Sequence, residues 1–277
     1  MQMVASSRLR KDRELMEQAR SCADSMERIF SCVASLTDLD SNIKFLHFGD
    51  LNSENKNADC VKKKHVLIIM ISSERGLCGG FNANLVRNVT RKIASIRGEG
   101  HVVKVISIGK KGYDLLRRSE NAIITDYHSL TGINSRDRML DISKGIATQI
   151  ISKIDNFDEC ILMYSKFRSV IVNEQIAQTM FPIYVDINKV QENNRYETEP
   201  SPEIILKHLL HLRCKMMIYH AMTESFASEQ GSRMSAMDGA TRNAGEILGG
   251  LTVAYNRQRQ AGITSELIEI ISGAEAL

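Results

Sequence analysis

Apolar residues recur along the first part of the chain at Leu15, Ala19, Cys22, Met26, Ile29 and Val33. Steps of three and four put them on one side of a helix. The stretch 2–41 around them has no Gly or Pro and is rich in good helix formers, so it predicts one helix packed along a single face. Residues 50–64 are polar and predict an exposed loop. From about 65 to 186 the period changes. The run 66–71 is continuous, apolar and rich in β-branched residues, which suits a strand buried on both faces. A second strand is predicted at 102–108, a weaker third at 122–125 and a fourth at 160–164. Short edge strands are predicted at 170–172 and 183–185. Helical patterns at 83–96, 111–117 and 138–154 lie between them. Such alternation predicts an α/β domain with a mostly parallel sheet.

Proline sets the last boundary. The three prolines are Pro182, Pro200 and Pro202. Ser201 suits an N-cap, Pro202 the first helical position, and Glu203 the helix dipole. No proline follows, so 201–277 predicts one helix, about 110 Å long at ~1.5 Å per residue. A globular domain cannot bury that length, so most of it is expected to project. Glycines at 231, 239, 245, 249, 250, 262 and 273 each cost about 1 kcal/mol in a helix interior. The helix therefore needs a partner, and the first helix is the available one. Two helices joined to one insert at the same end must run antiparallel. The expected division is 1–45 coiled-coil helix, 46–200 Rossmann-like domain, 201–277 coiled-coil helix.

Composition removes several classes. A net charge of +3 is too small to argue for nucleic acid. Arg8, Arg10, Lys11 and Arg13 interleave with Asp12, Glu14 and Glu17, as on a solvated helix. Six cysteines with no CxxC pair predict reduced thiols, not a metal site. No apolar run approaches the ~20 residues of a membrane span.

The candidate chemistry is sparse. Ser72 to Asn82 follows a strand and precedes a helix, where phosphate loops sit, but it is neither GxGxxG nor a P-loop. A tight βα turn is the competing reading, and the same choice applies to Gly109-Lys110-Lys111-Gly112. Cys78 lies near a helix N-terminus, where a thiol pKa can drop, but no base is evident. His65 and His101 sit at strand starts. His208, His211 and His220 fall on the long helix, with a solvated face expected.

Several stretches together resemble the gamma subunit family of the F-type ATP synthase, the central rotor shaft. They are Met1-Gln2-Met3-Val4-Ala5-Ser6-Ser7-Arg8-Leu9-Arg10, then Ser73-Glu74-Arg75-Gly76-Leu77-Cys78-Gly79-Gly80-Phe81-Asn82. Next come Glu229-Gln230-Gly231-Ser232-Arg233-Met234, Ala240-Thr241-Arg242-Asn243-Ala244, and Tyr255 through Leu267. Tyr164-Ser165-Lys166-Phe167 and the stretch 196–203 are also similar to it. The resemblance implies an antiparallel coiled coil bracketing a Rossmann-like domain. It implies a noncatalytic shaft within a ring of alpha and beta subunits, its foot on the epsilon subunit and the membrane ring of c subunits. It implies no cofactor, no metal and no nucleotide at the Gly-rich turn. Bacterial ATP synthase would place the chain at the cytoplasmic face of the inner membrane.

By the same resemblance, Arg259, Gln260 and Thr264 match the family's contacts to beta-subunit loops. Met1 and Arg233 match shaft positions linked to coupling. Two departures stand out. The family's first helix normally starts upstream of the position of Met1, so either the start is misplaced or the shaft lacks its opening turns; in the second case the last helix beyond Gln260 is expected to lack its usual brace. Arg242 stands where the family often has Asp. No cysteine-bearing insert of the chloroplast type is present, so thiol switching is not expected. A nucleotide-binding Rossmann enzyme and a nonrotary scaffold remain the alternatives that the residues alone leave open.

Overall fold

The structure is a computed structural model and describes residues 2–36, 46–48, 63–120, 123–130, 136–170, 172–185, 199 and 201–275. Met1, residues 37–41 of the predicted first helix and 50–62 of the predicted loop lie outside them. In chain order the elements are α1 (Gln2–Ser35), β1 (Leu46–Phe48), β2 (His65–Ile71), α2 (Phe81–Gly98), β3 (Val102–Ile108) and α3 (Lys110–Glu120). Then come β4 (Ile124–His128), α4 (Arg136–Ser152), β5 (Glu159–Phe167), β6 (Asn173–Phe181), β7 (Ile183–Val185) and α5 (Pro202–Glu275).

Five strands form one sheet in the order β4-β3-β2-β5-β6; β1 and β7 pair in parallel as a separate two-stranded sheet. Only β6 runs antiparallel in the main sheet. The fold is therefore α/β with a mostly parallel sheet, flanked by long N- and C-terminal helices. Central β2 explains the unbroken apolar run. Val66, Ile68 and Met70 face α2 and α3 on one side, while Leu67, Ile69 and Ile71 face α4 and α5 on the other.

Two predictions need correction. Val170 and Val172 are not in a strand, and residue 171 lies outside the described residues. The nine-residue β6 begins at Asn173 and was missed, because an edge strand reading Asn-Glu-Gln-Ile-Ala-Gln-Thr needs few apolar side chains. The strand predicted at 122–125 lies later, at 124–128.

Helix α5 is continuous over 74 residues, about 110 Å. Ile205 N–H donates to the Ser201 carbonyl as the helix opens. Its first half does more than expected. Leu206, Cys214, Ile218, Tyr219 and Met222 join the sheet core, so this stretch is both shaft and layer of the α/β unit. Only residues 240–274, about 50 Å, are exposed throughout.

Helices α1 and α5 run antiparallel. Gln2 meets Asp238, Arg20 meets Glu224, and Glu27 meets Arg213. The contacting face of α1 is Ala5, Leu9, Asp12, Met16, Ala19, Ala23, Met26, Phe30 and Val33, a run of alternating steps of four and three. That is a coiled-coil seam. It shares Ala19, Met26 and Val33 with the predicted stripe, but Cys22 is exposed and Ile29 is 37% exposed. The true seam lies one position over, because alanines and an aspartate hold places that a hydrophobic count passes by.

Candidate functional site

In an open parallel sheet, ligands sit outside the carboxyl ends of the strands where the winding reverses. Here that point lies between β2 and β5. The turn 72–80 leaves β2 there and enters α2.

The turn's polar groups are spent internally. Ser73 N–H donates to Asn82 Oδ1 at 3.1 Å, Asn82 Nδ2 donates to Ser73 Oγ at 2.7 Å, and that hydroxyl donates to the Arg75 carbonyl at 2.7 Å. Asn82 Nδ2 also lies 3.2 Å from Cys78 Sγ. Burial pushes the Cys78 thiol up; the Ser73 hydrogen bond and Arg233 only partly oppose this. The lowered thiol pKa that a helix N-terminus can produce is absent, because burial, with the Glu229 carboxylate nearby, outweighs the groups that favour a thiolate. His65 begins β2 at the opposite end, about 20 Å away at ~3.3 Å per residue.

The second loop is equally closed. At the start of α3, Lys110 N–H donates to Glu74 Oε2 at 3.2 Å, Lys111 N–H to the Ser73 carbonyl at 3.0 Å, and Gly112 N–H to Ser72 Oγ at 3.0 Å. The Glu74 carboxylate occupies the place an anion would take. Gly109 has φ +94°, and a Cβ there would fall on the Ser72 carbonyl. These glycines permit close packing of two loops.

The crevice itself is crossed by α5. A cavity of about 310 Å³ remains, lined by Gly79, Gly80, Asn84, Asn173, Ser232 and Ser235 among others. Arg233 reaches from α5 into the turn. Its Nη2 lies 2.6 Å from Glu229 Oε1 and 3.2 Å from the Gly76 carbonyl, and its Nη1 is 3.0 Å from Gln230 Oε1. Asp12, in the α1 seam, is raised to about 6 by burial, against the attraction of Arg8 and Arg233.

About two and a half turns before Arg233 on α5, Glu224 has no exposed surface. It accepts from Arg20 at 2.6 Å and from Phe167 N–H at 2.9 Å, and His220 Nε2 lies 3.4 Å away. Burial pushes this carboxyl up, but the hydrogen bonds outweigh it and hold it at about 2. His220 is thus enclosed beside Glu224 and Tyr164, and is not on the solvated face expected for it.

Farther out, Arg259, Gln260 and Thr264 are all exposed. Thr264 Oγ1 donates to the Gln260 carbonyl at 2.9 Å, so these two share a face. Around them Tyr255, Ile263, Leu267 and Ile271 are half or more exposed.

Comparison with known proteins decides the family. The family model described as ATP synthase matches residues 1–277. The ATP synthase gamma chain of Ruegeria sp. (strain TM1040) is 40% identical over 281 residues, covering all of this chain and 92% of the relative. The chain belongs to the ATP synthase gamma-chain family. The gamma chain of Pelagibacter ubique (strain HTCC1062) is also 40% identical, with the same coverage. Among solved structures, the fold matches a chain of the Tetrahymena thermophila mitochondrial ATP synthase central stalk and c-ring. The TM-score is 0.61 at 23% identity, covering 87% of this chain and 97% of that one. A chain of the Euglena gracilis mitochondrial enzyme matches at TM-score 0.59 and 17% identity, covering 98% and 95%.

Within this gamma-family fold the predicted residues fall into separate places. Arg259, Gln260 and Thr264 stand together on the distal helix. Arg233 lies about 40 Å below them at ~1.5 Å per residue, and Met1 is outside the described residues. Arg242 is exposed and pairs at 2.9 Å with Asp238, which also accepts from Gln2 at 3.0 Å. The arginine found where the family often has Asp therefore joins the tie at the start of α1. Glu224 and Glu229 were missed by sequence reasoning. Their signal was weak: two acids on a stretch whose neighbours are apolar or small.

Proposed function

We propose that the chain is the noncatalytic rotor shaft of a proton-translocating F-type ATP synthase, carrying rotation from the membrane ring to the catalytic beta subunits. The observation that supports this best is the distal half of α5. It presents about 50 Å of helix with apolar residues that no other described part of the chain covers. Such a surface suits an enclosing collar of other subunits. The collar is the ring of alpha and beta subunits, and the foot contacts epsilon and the c subunits. No helix among the described residues is long and apolar enough to cross a membrane. Attachment to the cytoplasmic face of the bacterial inner membrane is then through the complex.

In this reading Arg259, Gln260 and Thr264 contact beta-subunit loops, while Met1 and Arg233 serve coupling. An asymmetric helix pair offers each beta subunit a different face at each angle, and so shifts its conformational populations. No cofactor, metal, nucleic acid or nucleotide takes part at this chain. The test is the double variant Gln260→Leu with Thr264→Ala in the assembled enzyme. Protons pumped per ATP hydrolysed are expected to fall well below wild type. Wild-type coupling would overturn the site assignment.

A further inference from the structure

Glu229 and Arg233 are charged residues with unusual surroundings. Glu229 is 6% exposed, and the Arg233 side chain is 13% exposed. A surface contact for another subunit would leave the guanidinium in water. This one is used within the chain. A guanidinium carries five N–H donors in a planar fork. Here the fork bonds Glu229 one turn back, Gln230 beside it, and the Gly76 carbonyl across the crevice. The Arg75 carbonyl is a looser contact at 3.5 Å.

The turn needs such a hold. Leu77 has φ +63° and is 67% exposed, a strained backbone for a residue with a β-carbon and no packing to compensate. Gly79, at φ +56°, brings the backbone against α5: a Cβ there would stand 3.7 Å from that of Ala236. The place where a doubly wound fold ordinarily keeps a ligand therefore holds a joint between turn and helix.

We propose that Glu229 and Arg233 form a clasp that fixes the turn 73–80 to the shaft, so that turn and helix move as one body. Glu229 aims the guanidinium, and the guanidinium holds the turn carbonyl. Arg233 is then a positioning residue. Its influence on coupling runs through the turn, not through direct contact with a ring subunit. This rests on the rotor reading and gives one of its residues a different job.

The test compares Arg233→Lys, Glu229→Gln and the double variant, each as the full chain and as the assembled enzyme. Lysine keeps the charge but loses the fork. On the full chain, hydrogen exchange of amides 74–80 is expected to speed up about tenfold in each single variant, the loss of one buried hydrogen bond. Amides 85–93 of α2 are expected to stay at wild-type rates. In the assembled enzyme, protons pumped per ATP are expected to fall, and the double variant to be no worse than the worse single one. If Glu229→Gln does not fold, as judged by circular dichroism, Arg233→Lys decides alone. Lost pumping with unchanged exchange at 74–80 overturns the clasp in favour of direct contact. Faster exchange with wild-type pumping overturns its role in coupling. Failure of the wild-type chain to assemble with an alpha–beta ring would sink the rotor reading instead, while exchange would still judge the clasp.

Discussion

A carboxylate with no exposed surface persists only where its hydrogen bonds replace water. Glu224 meets that condition with donors from two other elements, Arg20 of α1 and the Phe167 amide of β5, and His220 Nε2 lies 3.4 Å away. Removing it leaves those donors facing nothing, so Glu224→Ala is expected to cost about 3 kcal/mol in urea unfolding. Its carboxyl is held at about 2, below the ordinary 4.5. The stability it contributes is complete above the unfolded value and drains away as pH falls towards 2. Asp12 has the opposite sign. Its folded value, about 6, exceeds the ordinary 3.8, so between these the folded chain binds a proton that the unfolded one does not. Its contribution to stability therefore grows as pH falls through 6 and is lost as pH rises through it. Asp12→Asn is expected to raise neutral-pH stability by on the order of 1 kcal/mol, and to flatten the stability profile between about pH 4 and 6. Melting temperature against pH, read for both proteins, checks this; a steeper profile in Asp12→Asn would refute it. Neither acid announced itself in the sequence, because the arginines that reach them across the coil, Arg20 for Glu224 and Arg233 for Asp12, lie some two hundred positions away. Gln260 and Thr264 were readable as one face because the helix period alone places them together.

At the scale of elements, glycine shows how context decides. A Cβ on Gly231 would stand 3.3 Å from the Phe167 ring and 3.5 Å from Val170, whereas nothing lies within 4 Å of Gly250. Gly231→Ala is expected to destabilise the isolated chain by about 1 kcal/mol through crowding. Gly250→Ala is expected to firm the distal helix by up to about 1 kcal/mol. Helix content on heating should separate the two, and equal behaviour would refute the contrast. The same logic governs what the sequence disclosed. Strands β2 and β3 were readable from nearly unbroken apolar runs. The edge strand β6 was not, since one side of it faces water and its pairing with β5 is made by backbone. The long helix was readable from the absence of proline, but its merger with the sheet was not. Met216, Met217 and Met222 serve core and coil alike, and no period in α5 marks the handover.

For the whole molecule, the core lies below residue 240 and the bare helix above it. A chain ended after Ala244 is therefore expected to keep its melting temperature within about 3 °C, yet to lose stable assembly with an alpha–beta ring on size-exclusion chromatography. A collapse in melting temperature would show that the distal helix supports the core after all. The antiparallel pairing of the chain's two ends carries a further consequence, for the order of events at the ribosome. The ties between α1 and α5 span 186 to 236 positions. At roughly 5–20 residues per second, α1 leaves the ribosome on the order of ten to forty seconds before its partner exists. During that wait Leu9, Met16 and Phe30 have nowhere to bury themselves. A nascent chain of this design is a natural client for a chaperone that covers one amphipathic helix and lets go when the second arrives.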